Sequence, residues 1–355
     1  MRKSGALIKT AIVFVLTLFG LQTMVKAGEK SESGKFEPGT MIMEHIKDGY
    51  DWHIMDINNH PVSIPLPVIA YHPERGISIF SSSRFEHGHA SYEGYKLSYR
   101  SSESRYVLET EDGSKFYNLS ITKNASSVLL TAILLLWLFL SISKSYKKRH
   151  GKSPKGIQSL IEPIILFIRD EVAKPSIGKN HMKFMPFLLT LFFFIWMSNL
   201  LGLVPFFPGG ANVTGNISVT LVLAVFTFLI TSFSGNKYYW KHIFLPDVPV
   251  WLYPLMIPIE IIGVLLKPLV LMLRLFANIT AGHIIILGFF SLIFIFGEIS
   301  EGLGLGVGAF SVLFTVFMSL LELLVAFLQA YVFTLLSALY FGMAVEEHHH
   351  AEETH

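Results

Sequence analysis

The sequence predicts an all-α polytopic membrane protein: five transmembrane helices, the two C-terminal ones long and tilted, plus a small β-rich N-terminal extramembrane domain. Three observations carry this expectation. Hydrophobic residues make up 52% of the 355-residue chain, and its mean hydropathy is +0.51. Several apolar runs approach about 20 residues, the length a helix needs to cross a bilayer core. Polar, strand-like sequence is concentrated in residues 28–120. The net charge of +2 decides little, and a chain with no cysteine offers neither a disulfide framework nor a thiolate metal site.

In chain order, Arg2, Lys3 and Lys9 lead into an apolar run over 11–21, with a small-residue cleavage site at Val25-Lys26-Ala27. That layout predicts a signal peptide over 1–27, since the run is too short for a span. Residues 28–124 then form an extracytoplasmic extension. Its β-branched and aromatic runs, such as YKLSYRS and SRYVLETEDGSKFYNLSI, predict strands, and Asp112-Gly113 suits a hairpin turn. His45, His53, His60, His72, His87 and His89 lack a clustered acid or cysteine, so they read as exposed structural histidines and no metal site is expected. No activity is legible in the extension.

The membrane domain is expected over 125–345, with spans at about 126–142, 184–204, 217–233, 257–296 and 309–343, and a cytoplasmic tail over 346–355. After the first span come Lys144, Lys147, Lys148, Arg149, Lys152 and Lys155, a basic cluster that belongs on the cytoplasmic side. This puts residues 28–124 outside. GIQSLIEPIILFIRDEV has Ile157, Leu160, Ile161 and Ile164 on one face, so it reads as a helix on the inner surface, kinked at Pro163. Asn199, within the second span, reads as a packing hydrogen bond. PFFPGGANVTGN makes an outer turn, and Lys237 and Lys241 mark the return inside. The proline-rich LPDVPVWLYPLMIP reads as a re-entrant or interfacial connection, and GEISEGLGLG, with Glu298 and Glu301, as a second outer turn.

The C-terminal helices carry charges where apolar residues are the rule. From Ile243 to Val345 the charged side chains are Asp247, Glu260, Lys267, Arg274, Glu298, Glu301 and Glu322. An arginine at mid-bilayer costs about 2.5–3.5 kcal/mol on insertion scales, so it serves an ion path or a fixed partner. Steps of seven drift only about 20° around a helix, so Glu260, Lys267, Arg274 and Ala281 fall nearly in line, with Asn278 one turn past the arginine. Small Ala277 and Ala281 leave room for close approach. His283 falls on roughly the opposite side of that helix, about 13 Å farther along. Glu322 and Gln329 share a face of the last helix. If the two helices are antiparallel neighbours, Gln329 can sit level with Arg274 and Glu322 near the depth of His283.

LRLFANITAGH, and later ELLVAFLQAYVFTLLSALYFGMAVEEH, resemble the last two membrane helices of subunit a of the F-type ATP synthases, a likeness that covers roughly residues 120–347. The resemblance implies that Arg274 is the essential arginine of a proton channel, with Asn278 and Gln329 as polar neighbours. It places His283 and Glu322 along an outer half-channel and Glu260 toward an inner one, with Lys267 on the same line of α-helix. It also implies a bacterial inner-membrane location and a ring of c subunits, each bringing a carboxylate to Arg274. The peripheral-stalk b subunits, the rest of the ATP synthase and the bilayer complete the partners; no nucleic acid or cofactor is implied. A GxxxxGK[ST] loop is missing from the sequence, so the chain is not expected to hydrolyse ATP by itself. The alternative is a self-contained proton-coupled secondary transporter. Such folds usually show internal repeats and paired broken helices, and no convincing repeat is found.

Overall fold

The computed structural model describes residues 38–57, 60–88, 90–100, 105–148, 153–204, 208–246 and 248–346. The expected leader, His89, Asp247 and residues 347–355 lie outside the described residues, as do the side chains of His45, His53, His60, His87 and Glu301. The chain divides into two compact units, one from residues 1–128, 201–212 and 282–321, the other from 129–200, 213–281 and 322–355.

In the first unit, α1 (Pro38–Ile46) precedes a β-rich domain. Strand β1 (Asp51–Ile57) pairs with β2 (His60–Pro65), and β5 (Tyr95–Arg100) with β6 (Arg105–Thr110), both antiparallel. Strand β3 (Pro67–His72) pairs with β4 (Gly76–Ser81) on one edge and β7 (Tyr117–Asn118) on the other, giving the order β4-β3-β7. Because successive side chains of a strand point to opposite faces, β3 sends Val68, Ala70 and His72 inward. They join a core with Phe85, Tyr95 and Leu108.

Two expectations are corrected here. His72 is structural but buried: its Nδ1 accepts from the backbone N–H of Glu74 (3.2 Å) and Arg75 (3.3 Å), leaving Nε2–H to donate to Ser114 Oγ at 2.8 Å. Asp112-Gly113 does form a turn, closed by the Gly113 N–H on the Thr110 carbonyl at 3.2 Å, with Gly113 at φ +70. It is no hairpin, however, because β6 and β7 lie in different sheets. The Asp112 carboxylate folds back to accept from Ser114 Oγ (2.6 Å) and N–H (3.2 Å), and it pairs with Arg75. These contacts, the Ser114 hydroxyl first, hold its pKa down at about 2.

The domain runs without slack into the first span, α2 (Lys123–Lys148). Leu119 and Ile121 donate to the carbonyls of Ile69 (2.9 Å) and Pro67 (3.1 Å), extending the β3 ladder to within two residues of the helix. Asp48 Oδ1 then accepts from the Asn124 N–H at 2.8 Å, satisfying a donor that the first helical turn leaves open.

Five helical stretches among the described residues are long and apolar enough to cross a membrane: Lys123–Lys148, Ile157–Leu203, Ile217–Ser234, Val250–Ile299 and Gly306–Val345. The second is segmented: α3 (Ile157–Phe167), a π-helical stretch (Ile168–Ala173), α4 (Lys174–Ile177), a tight turn at Gly178 (φ 71), then α5 (His181–Leu203). On α3, Gln158 and Ile161 are the buried residues, while Leu160 is 67% exposed. An apolar face turned outward suits hydrocarbon rather than water.

After α6 (Ile217–Ser234) and the short α7 (Lys237–Phe244), the proline-rich segment is an irregular connection only up to Pro249. Helix α8 (Tyr253–Ile299) takes in Pro254 near its start, where a missing N–H costs nothing, and also Pro258 and Pro268. The expected outer turn over 297–306 shrinks to Ser300, since α9 (Glu301–Val345) begins directly after it and keeps its glycines helical. Helical hydrogen bonding is the economical solution where no water can satisfy the backbone. With 47 and 45 residues, α8 and α9 are each roughly 70 Å long, more than twice the hydrocarbon thickness.

The core of the second unit joins α5, α8 and α9. Leu188, Phe192, Phe193 and Ile195 are fully or nearly fully buried, together with Leu271 and Leu275 of α8 and Ala330, Ala338 and Phe341 of α9. Phe184 stacks on Phe341 at 4.9 Å. Gly342 has no room for a side chain, because a Cβ there would collide with the Ser176 carbonyl.

Candidate functional site

Helix α8 has two faces. Leu271, Met272, Leu275 and Ile279 are buried, at the three- and four-residue steps that keep side chains on one side of a helix. Leu273, Arg274, Ala277, Asn278 and Ala281 are exposed on the other. Among the described residues Arg274 forms neither a salt bridge nor a hydrogen bond. Its small neighbours Ala277 and Ala281 leave the guanidinium open to whatever approaches.

Two turns earlier on α8, Lys267 is half-buried, with its ammonium 5.6 Å from the centre of the Tyr340 ring, a cation–π distance. Thr227, Thr231 and Tyr239 line the same small cavity. Burial pushes the pKa of the Tyr239 hydroxyl up, keeping it a neutral donor. Glu260, also half-buried, stands one heptad earlier on the same line of α8, about 10 Å along its axis.

On α9, Glu322 and Gln329 are both buried, as are Ala326 and Ala330. The Ala326 carbonyl, between the acid and the amide, accepts from Asn199 Nδ2 at 3.2 Å. Asn199 Oδ1 in turn accepts from Thr214 Oγ1. Asn199 is therefore the packing residue expected of it, and what it holds is the stretch of α9 carrying Glu322 and Gln329.

His283 belongs to the first unit and the other six candidates to the second. It is half-buried beside Gly202, where a Cβ would stand 3.8 Å from His283 Nε2 and 3.2 Å from the Ala211 carbonyl oxygen. The same 201–212 segment accepts a hydrogen bond from Trp52 Nε1 to the Gly209 carbonyl at 2.9 Å. Within the second unit the structure thus groups Glu260 with Lys267, presents Arg274 with Asn278, and buries Glu322 with Gln329. Sequence reasoning missed Tyr340, Thr214 and Trp52. Only Tyr340 carried a signal, as an aromatic near the end of an apolar helix; the other two act through contacts far apart in the chain.

Fold and site together define a polytopic helical membrane protein that keeps ionisable and amide side chains on its two longest helices. Its family is that of the ATP synthase A chain, which matches residues 125–342, and the chain belongs to it. A second family, described as a Domain of unknown function (DUF8433), matches residues 41–128. The chain is 45% identical over 244 residues to ATP synthase subunit a of Chloroherpeton thalassium, covering 67% of this chain and 71% of that protein. It is 48% identical over 235 residues to ATP synthase subunit a 2 of Chlorobaculum tepidum, covering 64% of each. With ATP synthase subunit a of Chlorobium phaeobacteroides it shares 43% over 242 residues, 66% of this chain and 68% of that one.

Proposed function

We propose that the chain is the stator subunit of the ATP synthase membrane sector, supplying two proton half-channels and the arginine that couples proton flow to rotation of a c-subunit ring. The observation that carries this reading is Arg274, exposed on an apolar helix face among small residues and without a salt bridge among the described residues. Such a cation calls for a carboxylate from outside the chain. Beside the guanidinium a ring carboxylate is favoured in its charged form and releases its proton; facing lipid it must be neutral, because an unpaired charge there is costly. Protons pass Glu322 and His283 on the outer side, ride the ring, and leave toward Glu260, while Arg274 stops the two paths from joining. The chain performs no ATP chemistry itself and works within the complex, held by the b subunits.

In the same reading residues 28–124 are extracytoplasmic and the C-terminus is cytoplasmic. The Trp52–Gly209 hydrogen bond supports one side for the N-terminal domain and the loop after α5. A tag near Ser31 should be reachable from outside and one after His355 only from inside; finding both on one side removes the five-span topology. The functional test is pumping by the assembled enzyme in vesicles. Arg274→Ala abolishes ATP-driven proton uptake while assembly proceeds, and Arg274→Lys fails badly too, because an ammonium is compact, strongly hydrated and more easily deprotonated when buried. Normal coupled pumping by either variant rejects the role given to Arg274.

A further inference from the structure

Sheet β4-β3-β7 of the N-terminal domain turns an apolar face outward. Ile77 and Ile79 on β4 are each 68% exposed, Tyr117 on β7 is 65% and Leu119 just after it 64%. Tyr71 on β3 is also exposed; it pairs in register with both Ile77 and Tyr117, and its ring stacks on that of Tyr117 with centroids 6.1 Å apart. Strand alternation explains the row: the opposite face of β3 and β4 supplies Val68, Ala70 and Phe80 to the core. A contiguous apolar patch on a small polar domain marks a surface meant to be covered.

We infer that this sheet face docks on the lipid headgroup layer of the bilayer, on the domain's own side of the membrane. Chain continuity names the occupant. Leu119 lies four residues before Lys123, where the span helix α2 begins, and the hydrogen bonds Leu119–Ile69 and Ile121–Pro67 carry the sheet up to that point without a flexible linker. The Asp48–Asn124 bond fixes the junction from the other side. A face of tyrosine, isoleucine and leucine held this close to a membrane-entering helix has the composition of an interfacial belt, with rings whose hydroxyls reach headgroups and whose bodies prefer acyl chains. The domain thereby grips the membrane surface beside the span it leads into.

The chain has no cysteine, so single nitroxide labels can report depth in the full-length protein reconstituted in lipid vesicles. Ile77→Cys, Ile79→Cys and Tyr117→Cys are compared with Lys96→Cys on the exposed side of β5. Labels at the first three sites should collide more with oxygen than with a water-soluble nickel chelate, and the Lys96→Cys label should do the reverse. Equal nickel access at all four sites overturns the inference. So does a result in which the three sites are open to nickel in vesicles and shielded only in the assembled ATP synthase, which would assign the face to a partner protein. Because proton pumping is not the readout, failure here leaves the role of Arg274 untouched.

Discussion

The membrane helices and the N-terminal domain are each out of character at one place, in opposite ways. On α8 the anomaly is a cation with an amide on an apolar surface, Arg274 with Asn278. On the β4-β3-β7 sheet it is a row of apolar side chains, Ile77, Ile79, Tyr71 and Tyr117, on an otherwise polar domain. In both, packing inside the chain is complete: Leu271 and Leu275 fill the buried side of α8, and Val68 and Ala70 that of β3. The residue types left outside thus say what each surface is for. A charge in lipid asks for a counter-charge, whereas apolar side chains outside a span ask for a cover.

Breaking the buried side should cost more than touching the exposed one. Gly342→Val should have the largest effect, because its Cβ would collide with a backbone carbonyl that cannot rotate away, that of Ser176. Overpacking of this kind costs about 1–3 kcal/mol or more. Yield and monodispersity in detergent should collapse, and wild-type behaviour would mean that the α9–α4 approach is looser than described. Asn199→Leu comes next: it leaves the Thr214 hydroxyl and the Ala326 carbonyl short of a partner in a buried place, at about 1–3 kcal/mol. A lowered Tm with altered pH dependence of proton flux would show that Asn199 sets the stretch of α9 bearing Glu322 and Gln329. A lowered Tm alone would confine it to packing.

The membrane half was the more legible of the two, for physical reasons. Span length, basic flanks and a charge in an apolar run are local properties, so α2, α6, α8 and α9 and the singularity of Arg274 could be read directly. The glycines of 302–308 misled, because a turn-like composition stays helical where backbone groups lack water. Leu160 could be placed on a helix face but not assigned to inside or outside, since both protein core and lipid accept leucine. The partnerships of Lys267 with Tyr340 and of Asn199 with Thr214 are contacts between separate elements, which no periodicity encodes. In the N-terminal domain strand content was visible, but His72 shows the limit: the partner of its Nε2 is Ser114, which lies beyond three further strands.

Smaller effects probe the domain. Trp52→Phe keeps an aromatic ring but loses the indole N–H that donates to the Gly209 carbonyl, together with some buried volume, so it should cost at least about 1 kcal/mol. Faster amide exchange over 209–212, with the rest of the domain unchanged, would show that Trp52 secures that segment; unchanged exchange would deny it. The least effect belongs to Asp112, which lies at the surface. Its folded pKa of about 2 lies below the ordinary 3.8, so its contribution is fully present above pH 3.8 and fades as pH falls toward 2. Asp112→Asn should flatten that part of the stability–pH curve in acid unfolding, and an unchanged slope would mean that the Ser114 contacts do not survive in solution.

The central claim, that the exposed side of α8 faces a carboxylate-bearing ring, can be tested by position alone. In the cysteine-free chain, Ala277→Cys lies on the exposed face beside Arg274, and Ile279→Cys lies on the buried one. Each is assembled with ring subunits carrying a cysteine next to their carboxylate and treated with a mild oxidant. The account predicts a disulfide-linked product of this chain and a ring subunit from Ala277→Cys and none from Ile279→Cys; cross-linking from Ile279→Cys, or from neither, would contradict it.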